Sequence, residues 1–158
     1  MDIKNSIQNS LELKQKVLNS QELLSSISHS IEKIVLALTK GGKIHFCGNG
    51  GSAADAQHLA AELSGRFYYN RPPLNAEALH CNSSYVTAVA NDFGYDHIFS
   101  RLLEATAQKG DVLFVLSTSG NSKNIIEAVN YAKNNGIFVI SLTGKTGGLL
   151  AQISDILI

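Results

Sequence analysis

His58 and Glu62 stand four residues apart in the run Asp55-Ala-Gln-His-Leu-Ala-Ala-Glu62. On a helix that spacing sets both side chains on one face, one turn apart. A carboxylate so placed can move a proton between adjacent carbons, the step by which an aldose and a ketose interconvert through an enediol. The same chemistry asks for a second group to move protons between the two oxygens, or for a metal to polarise them. His58 can ligate a divalent metal and Glu62 can share it, with two further ligands needed for a tetrahedral site. The plain alternative is an ion pair on a solvated face, and the setting of the helix decides against it.

That setting is the turn Cys47-Gly48-Asn49-Gly50-Gly51-Ser52, which leads from an apolar run into the helix. Its glycines allow positive φ and close approach to a ligand. The helix start offers N–H groups and a positive dipole end to anionic or polyhydroxyl groups. Gly48-x-Gly50-x-x-Ala53 also fits the loose dinucleotide fingerprint. That reading requires an acid at the end of the next strand, where Cys81-Asn82 stands instead. A phosphate-binding Walker loop fails as well, because no Gly-Lys-Ser/Thr follows.

A second turn, Ser117-Thr118-Ser119-Gly120-Asn121-Ser122, carries four hydroxyls in six positions. Ser122 is placed to cap the helix that follows. Ser117, Thr118, Ser119 and Ser122 together exceed what capping needs, and with the helix N–H groups they form a phosphate cradle without lysine or arginine. Both turns follow carboxyl ends of expected parallel strands, where open α/β sheets bind ligands. A phosphate at one end and a carbon chain at the other would suit two such turns facing one crevice.

The elements that must hold these turns are legible as short apolar runs and amphipathic stretches. Residues 43–47, 76–81, 112–116 and 138–142 read as buried strands, and 156–158 as a fifth. Residues 52–63, 84–90, 97–107 and 122–134 read as helices between them, with Gly136 just past the last. Ile27, Ile31, Ile34, Val35 and Leu38 give the first forty residues a helical stripe, which Gly41-Gly42 ends. The alternation predicts a doubly wound, three-layer αβα sandwich on a parallel sheet, preceded by long N-terminal helices. Residues 1–40 form a helical segment for oligomer contacts and 41–158 the α/β domain.

The composition narrows the function classes. The chain has 158 residues, 44% hydrophobic and 16% charged, with 13 basic residues against 13 acidic ones. Zero net charge and the absence of any basic tract leave no footprint for nucleic acid. No secretory signal and no membrane-length apolar stretch is present. Cys47 and Cys81 sit inside apolar runs and are expected as buried free thiols. A reducing compartment, the cytoplasm, follows.

The segment from Cys47 to Arg66, with Asn91-Asp92 and the run from Ser117 to Ser122, resembles the three motifs of the bacterial phosphoheptose isomerases, members of the sugar isomerase (SIS) superfamily with a flavodoxin-like sheet. The resemblance implies conversion of sedoheptulose 7-phosphate to D-glycero-D-manno-heptose 7-phosphate, the first step toward nucleotide-activated heptoses for surface lipopolysaccharide. It implies sugar contacts from Asn49, Gly50, Gly51, Asn91 and Asp92, and a phosphate site on Ser117, Thr118, Ser119 and Ser122. Glu62 would be the catalytic acid/base, and His58 and Glu62 would be ligands of a zinc ion. The family forms homotetramers through its N-terminal helices. Its members continue into a C-terminal helix whose glutamine and histidine complete the metal site, and residues 1–158 contain no match to it. A non-catalytic sugar-phosphate sensor or adaptor of the superfamily is the alternative, and it needs no carboxylate at position 62.

Overall fold

Valine, isoleucine, leucine and phenylalanine, packed into runs that glycine and polar turns interrupt, form a five-stranded parallel sheet in the computed structural model, which describes residues 2–158. The strands are β1 (Ile44–Gly48), β2 (Ala76–Ala78), β3 (Val112–Ser117), β4 (Phe138–Thr143) and β5 (Ile156–Leu157). Their spatial order is β2-β1-β3-β4-β5. The helices are α1 (Ile3–Asn19), α2 (Gln21–Thr39), α3 (Gly51–Ser64), α4 (Ser83–Phe93), α5 (Ile98–Thr106), α6 (Lys123–Asn134) and α7 (Leu150–Ile153). A single 3-10 turn, Tyr95–His97, joins α4 to α5.

Side chains on successive strand positions point to opposite faces, so both faces of this sheet are buried. Ile44, Phe46, Val112, Leu116 and Ile140 pack with Ala37 of α2 and with Ala56 and Ala60 of α3. Cys47, Leu113, Val115 and Val139 pack on the other side with Val89, Phe99, Leu103, Val129 and Leu150 of α4 to α7. Three layers result, as the alternation of elements predicts.

The chain leaves β1 toward β2 on one side and returns to β3 on the other, which opens a crevice between the carboxyl ends of β1 and β3. Gly48 of β1 stands in register with Leu116 of β3, so the two motif turns that follow lie side by side.

The amino end of the sheet is closed by Asp111. Its carboxylate accepts from the Lys43 N–H at 2.8 Å, the Gln108 N–H at 2.9 Å and His45 Nε2 at 3.1 Å. His45 is fully buried and its Nδ1 has no partner. Burial lowers its pKa below the ordinary histidine value, against the opposing pull of the Asp111 bond.

Three expectations need correction. The strand expected over 76–81 ends at Ala78, because β2 is an edge strand and the chain turns before Asn82, whose side chain accepts the Tyr85 N–H at 3.0 Å and caps α4. That turn leaves Cys81 exposed, while Cys47 is buried as expected; both thiols are free. Ser122 occupies the N-cap position of α6 but makes no side-chain cap bond. Its hydroxyl lies 3.4 Å from that of Ser117 instead.

The N-terminal stripe resolves into two helices. Ser20 separates them, its hydroxyl accepting the Leu23 N–H at 3.3 Å as the cap of α2. Helix α1 buries no residue, and Ile3, Ile7, Leu11 and Leu18 are exposed along it. Among the described residues no helix is long and apolar enough to cross a membrane.

Candidate active site

Gly50 stands at φ 57°, ψ −123°, a left-handed region that a side chain disfavours, and starts α3 with no side-chain cap. The turn therefore presents main chain to the crevice. Asn49 precedes it, half-buried, and its carboxamide pairs with that of Asn124 in the first turn of α6. Tyr95 Oη adds a third contact to Asn49 Oδ1 at 3.4 Å.

The hydroxyl-rich turn after β3 is held from behind. At Gly120, φ is 64° and an added Cβ would sit 2.0 Å from the carbonyl oxygen of Gly147, so only glycine fits. The loop after β4 lies directly against it: the Gly144 N–H donates to the Thr118 carbonyl at 3.1 Å and the Leu149 N–H to Asn121 Oδ1 at 3.0 Å. Asn121 in turn donates through Nδ2 to the Ser119 carbonyl at 2.9 Å. Ser117 is buried, Ser122 half-buried, and Thr118 and Ser119 are exposed to a ligand.

Ser52 and Asp55 of α3 share a cleft of about 220 Å³ with Ser117, Thr118, Thr143 and Gly144. Ser52, at the end of the first turn, thus shares this cleft with Ser117 and Thr118 of the second, while Asn49, Gly50, Gly51, Ser119 and Ser122 do not line it. His58 and Glu62 lie further along the same helix. His58 Nε2 and Glu62 Oε1 are 3.0 Å apart, His58 exposed and Glu62 half-buried. They border a second depression of about 440 Å³, floored by Phe46 and Phe114, whose rings are 5.5 Å apart. Ser52, Asp55, Leu59 and Glu62 follow one another at three- and four-residue steps, so the two depressions share one stripe of α3.

Asn91 and Asp92 sit exposed near the end of α4 and bond each other, Nδ2 to Oδ1, at 2.8 Å. Among the described residues no bond joins them to either turn; Tyr95, two residues beyond α4, links this region to Asn49.

The chemistry of the His58–Glu62 pair fits one metal ion. Its imidazole nitrogen and carboxylate oxygen are the donor types a zinc ion takes, here hydrogen-bonded to each other at 3.0 Å. Among the described residues no third His, Cys, Asp or Glu joins them.

Sequence reading missed Asn124, Tyr95 and the loop over 144–148. The loop had a signal, since Gly147-Gly148 follows Gly144 after a strand. Asn124 had none, because its partner is 75 residues away.

Residues 7–144 match the SIS domain family. The chain is 49% identical to a phosphoheptose isomerase of Mycobacterium tuberculosis over 146 residues, which is 92% of this chain and 74% of that protein. It is 47% identical to a phosphoheptose isomerase of Aneurinibacillus thermoaerophilus over 153 residues, 97% of this chain and 77% of the relative. The solved phosphoheptose isomerase of Neisseria gonorrhoeae superimposes with a TM-score of 0.90 at 42% identity, over 98% of this chain and 82% of that one.

Proposed function

We propose that this chain, which belongs to the phosphoheptose isomerases of the SIS-domain superfamily, interconverts sedoheptulose 7-phosphate and D-glycero-D-manno-heptose 7-phosphate through an enediol. The enzyme class, an aldose–ketose isomerase, comes with the family. The observation that carries the reading is the single stripe of α3, which runs from the cleft with the hydroxyl-rich turn to Glu62.

The phosphate binds the hydroxyls of Ser117, Thr118, Ser119 and Ser122 and the N–H groups at the start of α6. Asn49, the main chain of Gly50 and Gly51, and Asn91 and Asp92 take the sugar hydroxyls. From Asp55 to Glu62 the helix rises about 10 Å, a reach that suits a seven-carbon chain better than a short one. Glu62 takes a proton from C1 of the ketose as the C1–C2 double bond forms. It returns that proton to C2 on the same face, while the hydroxyl proton passes from O1 to O2.

His58 and Glu62 would supply two ligands to a zinc ion, which when bound would polarise the sugar oxygens. The exposed apolar stripe of α1 supports assembly into a homotetramer. Two free cysteines suit the cytoplasm. The product would feed nucleotide-heptose synthesis for lipopolysaccharide.

The test is turnover of sedoheptulose 7-phosphate against pentose and hexose phosphates, with Glu62→Gln beside it. Glu62→Gln should lower turnover by about 100- to 10,000-fold while binding persists, the usual worth of a positioned acid–base group. Tight binding without turnover of any sugar phosphate would make the chain a sensor instead.

A further inference from the structure

Asn49 and Asn124 exchange two side-chain hydrogen bonds across the crevice. Asn49 Nδ2 donates to Asn124 Oδ1 at 2.8 Å, and Asn124 Nδ2 donates back to Asn49 Oδ1 at 2.9 Å. Asn124 is only 3% exposed, at the second position of α6. Tyr95 Oη approaches Asn49 Oδ1 from a third element at 3.4 Å.

A reciprocal carboxamide pair couples its two amides, and the Tyr95 hydroxyl donating to Asn49 Oδ1 selects the arrangement of the pair. Turning either amide over alone would set oxygen against oxygen and nitrogen against nitrogen, so each fixes the orientation of the other. A carboxamide has two N–H donors and two acceptor sites on its oxygen. The pair uses one donor on Asn49, and Asn124 and Tyr95 together occupy its oxygen. One N–H of Asn49 therefore stays uncommitted, in a direction the pair has already chosen. Near the start of a helix an asparagine side chain would ordinarily turn to its own backbone. Asn124 instead reaches the turn after β1.

We infer that Asn124 is a positioning residue for the sugar. It holds the carboxamide of Asn49, and the glycine turn behind it, in a single ligand-ready orientation. It also ties this turn to the helix whose first residues form the phosphate site. The two ends of the site are thereby held at a fixed separation before substrate arrives, and less ordering is left to occur on binding. The inference rests on the reading of Asn49 as a sugar contact.

The experiment is calorimetric binding of sedoheptulose 7-phosphate and of inorganic phosphate to the whole chain. It compares wild type, Asn124→Ala, Asn124→Asp, Asn49→Ala and the double alanine variant. Asn124→Asp keeps the size of the side chain and can accept from Asn49 Nδ2, but it cannot donate to Oδ1, so it carries the test if the alanine variant folds poorly. Each Asn124 change should weaken sedoheptulose 7-phosphate by roughly tenfold, about one neutral hydrogen bond. Inorganic phosphate should stay within about twofold of wild type. The double variant should bind within about twofold of Asn49→Ala alone, because Asn124 acts through Asn49.

Wild-type sugar affinity in the Asn124 variants would overturn the inference. So would an equal loss for inorganic phosphate, which would make Asn124 a support of α6 only, and so would additive losses in the double variant. Wild-type affinity in Asn49→Ala would instead remove Asn49 from the sugar site, and the inference would fall with that reading.

Discussion

Arg71 Nη2 donates to the main-chain carbonyl of Glu62 at 2.8 Å, and its Nη1 to the carbonyl of Leu63 at 2.8 Å. These carbonyls belong to the last turn of α3, which has no further helix to satisfy them. A guanidinium offers two parallel donors and a positive charge at the negative end of the helix dipole. A further bond to the Pro72 carbonyl at 3.1 Å fixes the side chain in its own loop. The loop between Gly65 and Leu74 thus clasps the turn that carries the proposed base.

Arg71→Ala should therefore fray the end of α3 and loosen Glu62. Turnover should fall about tenfold to a hundredfold, as expected when a catalytic group is misplaced by an ångström or so. Stability should fall by about 1–3 kcal/mol, since charge-assisted bonds are lost. Arg71→Lys keeps the charge without the fork and should lie between. Steady-state kinetics beside thermal denaturation decide it, and full turnover in Arg71→Ala would detach the clasp from catalysis.

Ser119 is exposed at the hydroxyl-rich turn, and its hydroxyl accepts only the Asn121 N–H at 3.2 Å. Ser119→Ala should weaken phosphorylated sugars by about 1–2 kcal/mol, one lost donor to a charged group. Unphosphorylated sedoheptulose should show no such change. Titration calorimetry with the two sugars makes the comparison, and equal effects on both would move the phosphate elsewhere.

The two turns of the candidate site were largely legible because each is contiguous in sequence. Glycine spacing and clustered hydroxyls mark positions 48–51 and 117–122 without any knowledge of tertiary contacts, and parallel strand order sets them side by side. His58 and Glu62 were legible for the same reason, since four-residue spacing on a helix is a local rule. The misses are relations between distant segments. Cys81 lies outside because β2 is too short to continue, which depends on its edge position in the sheet. Ser122 prefers Ser117 to its own helix because the preceding turn brings the two hydroxyls together. Asn124 looked like an ordinary polar residue of α6 until the fold set it beside Asn49. The break at Ser20 left no glycine or proline to announce it.

Helix α1 makes its case for assembly by what it fails to bury. Ile3, Ile7, Leu11 and Leu18 recur on an exposed stripe of a helix with no buried residue in its own chain. An apolar stripe of that length marks a contact surface. Light scattering at micromolar concentration should give a tetramer, and Leu11→Glu should shift it to a smaller species. A wild-type monomer would contradict the assembly.

The buried pair of His45 and Asp111 sets a pH dependence of stability. His45 Nε2 lies 3.1 Å from Asp111 Oδ2, so a neutral ring carrying its proton on Nε2 donates to the carboxylate. The other ring nitrogen, Nδ1, is buried with no partner. Charging the ring would place an unpaired N–H there and a cation in the core, which is costly. Burial accordingly lowers the His45 pKa, although the Asp111 bond pulls the other way. In the unfolded chain the ring titrates near its ordinary value of about 6.5. Below that pH the unfolded state binds a proton that the folded state refuses, so acid favours unfolding. The contribution of His45 is fully present above about pH 6.5 and is lost as the pH falls from there toward the lowered folded value. His45→Gln keeps a donor for Asp111 and cannot titrate. Its melting temperature should lie below wild type at about pH 7, because the glutamine packs less well, by about 1–2 kcal/mol of stability. Between about pH 7 and pH 5 it should fall less steeply than wild type. Parallel melting curves for the two proteins across that range would show that His45 takes up no extra proton on unfolding, and the pair would then be a staple between β1 and β3 without pH sensitivity.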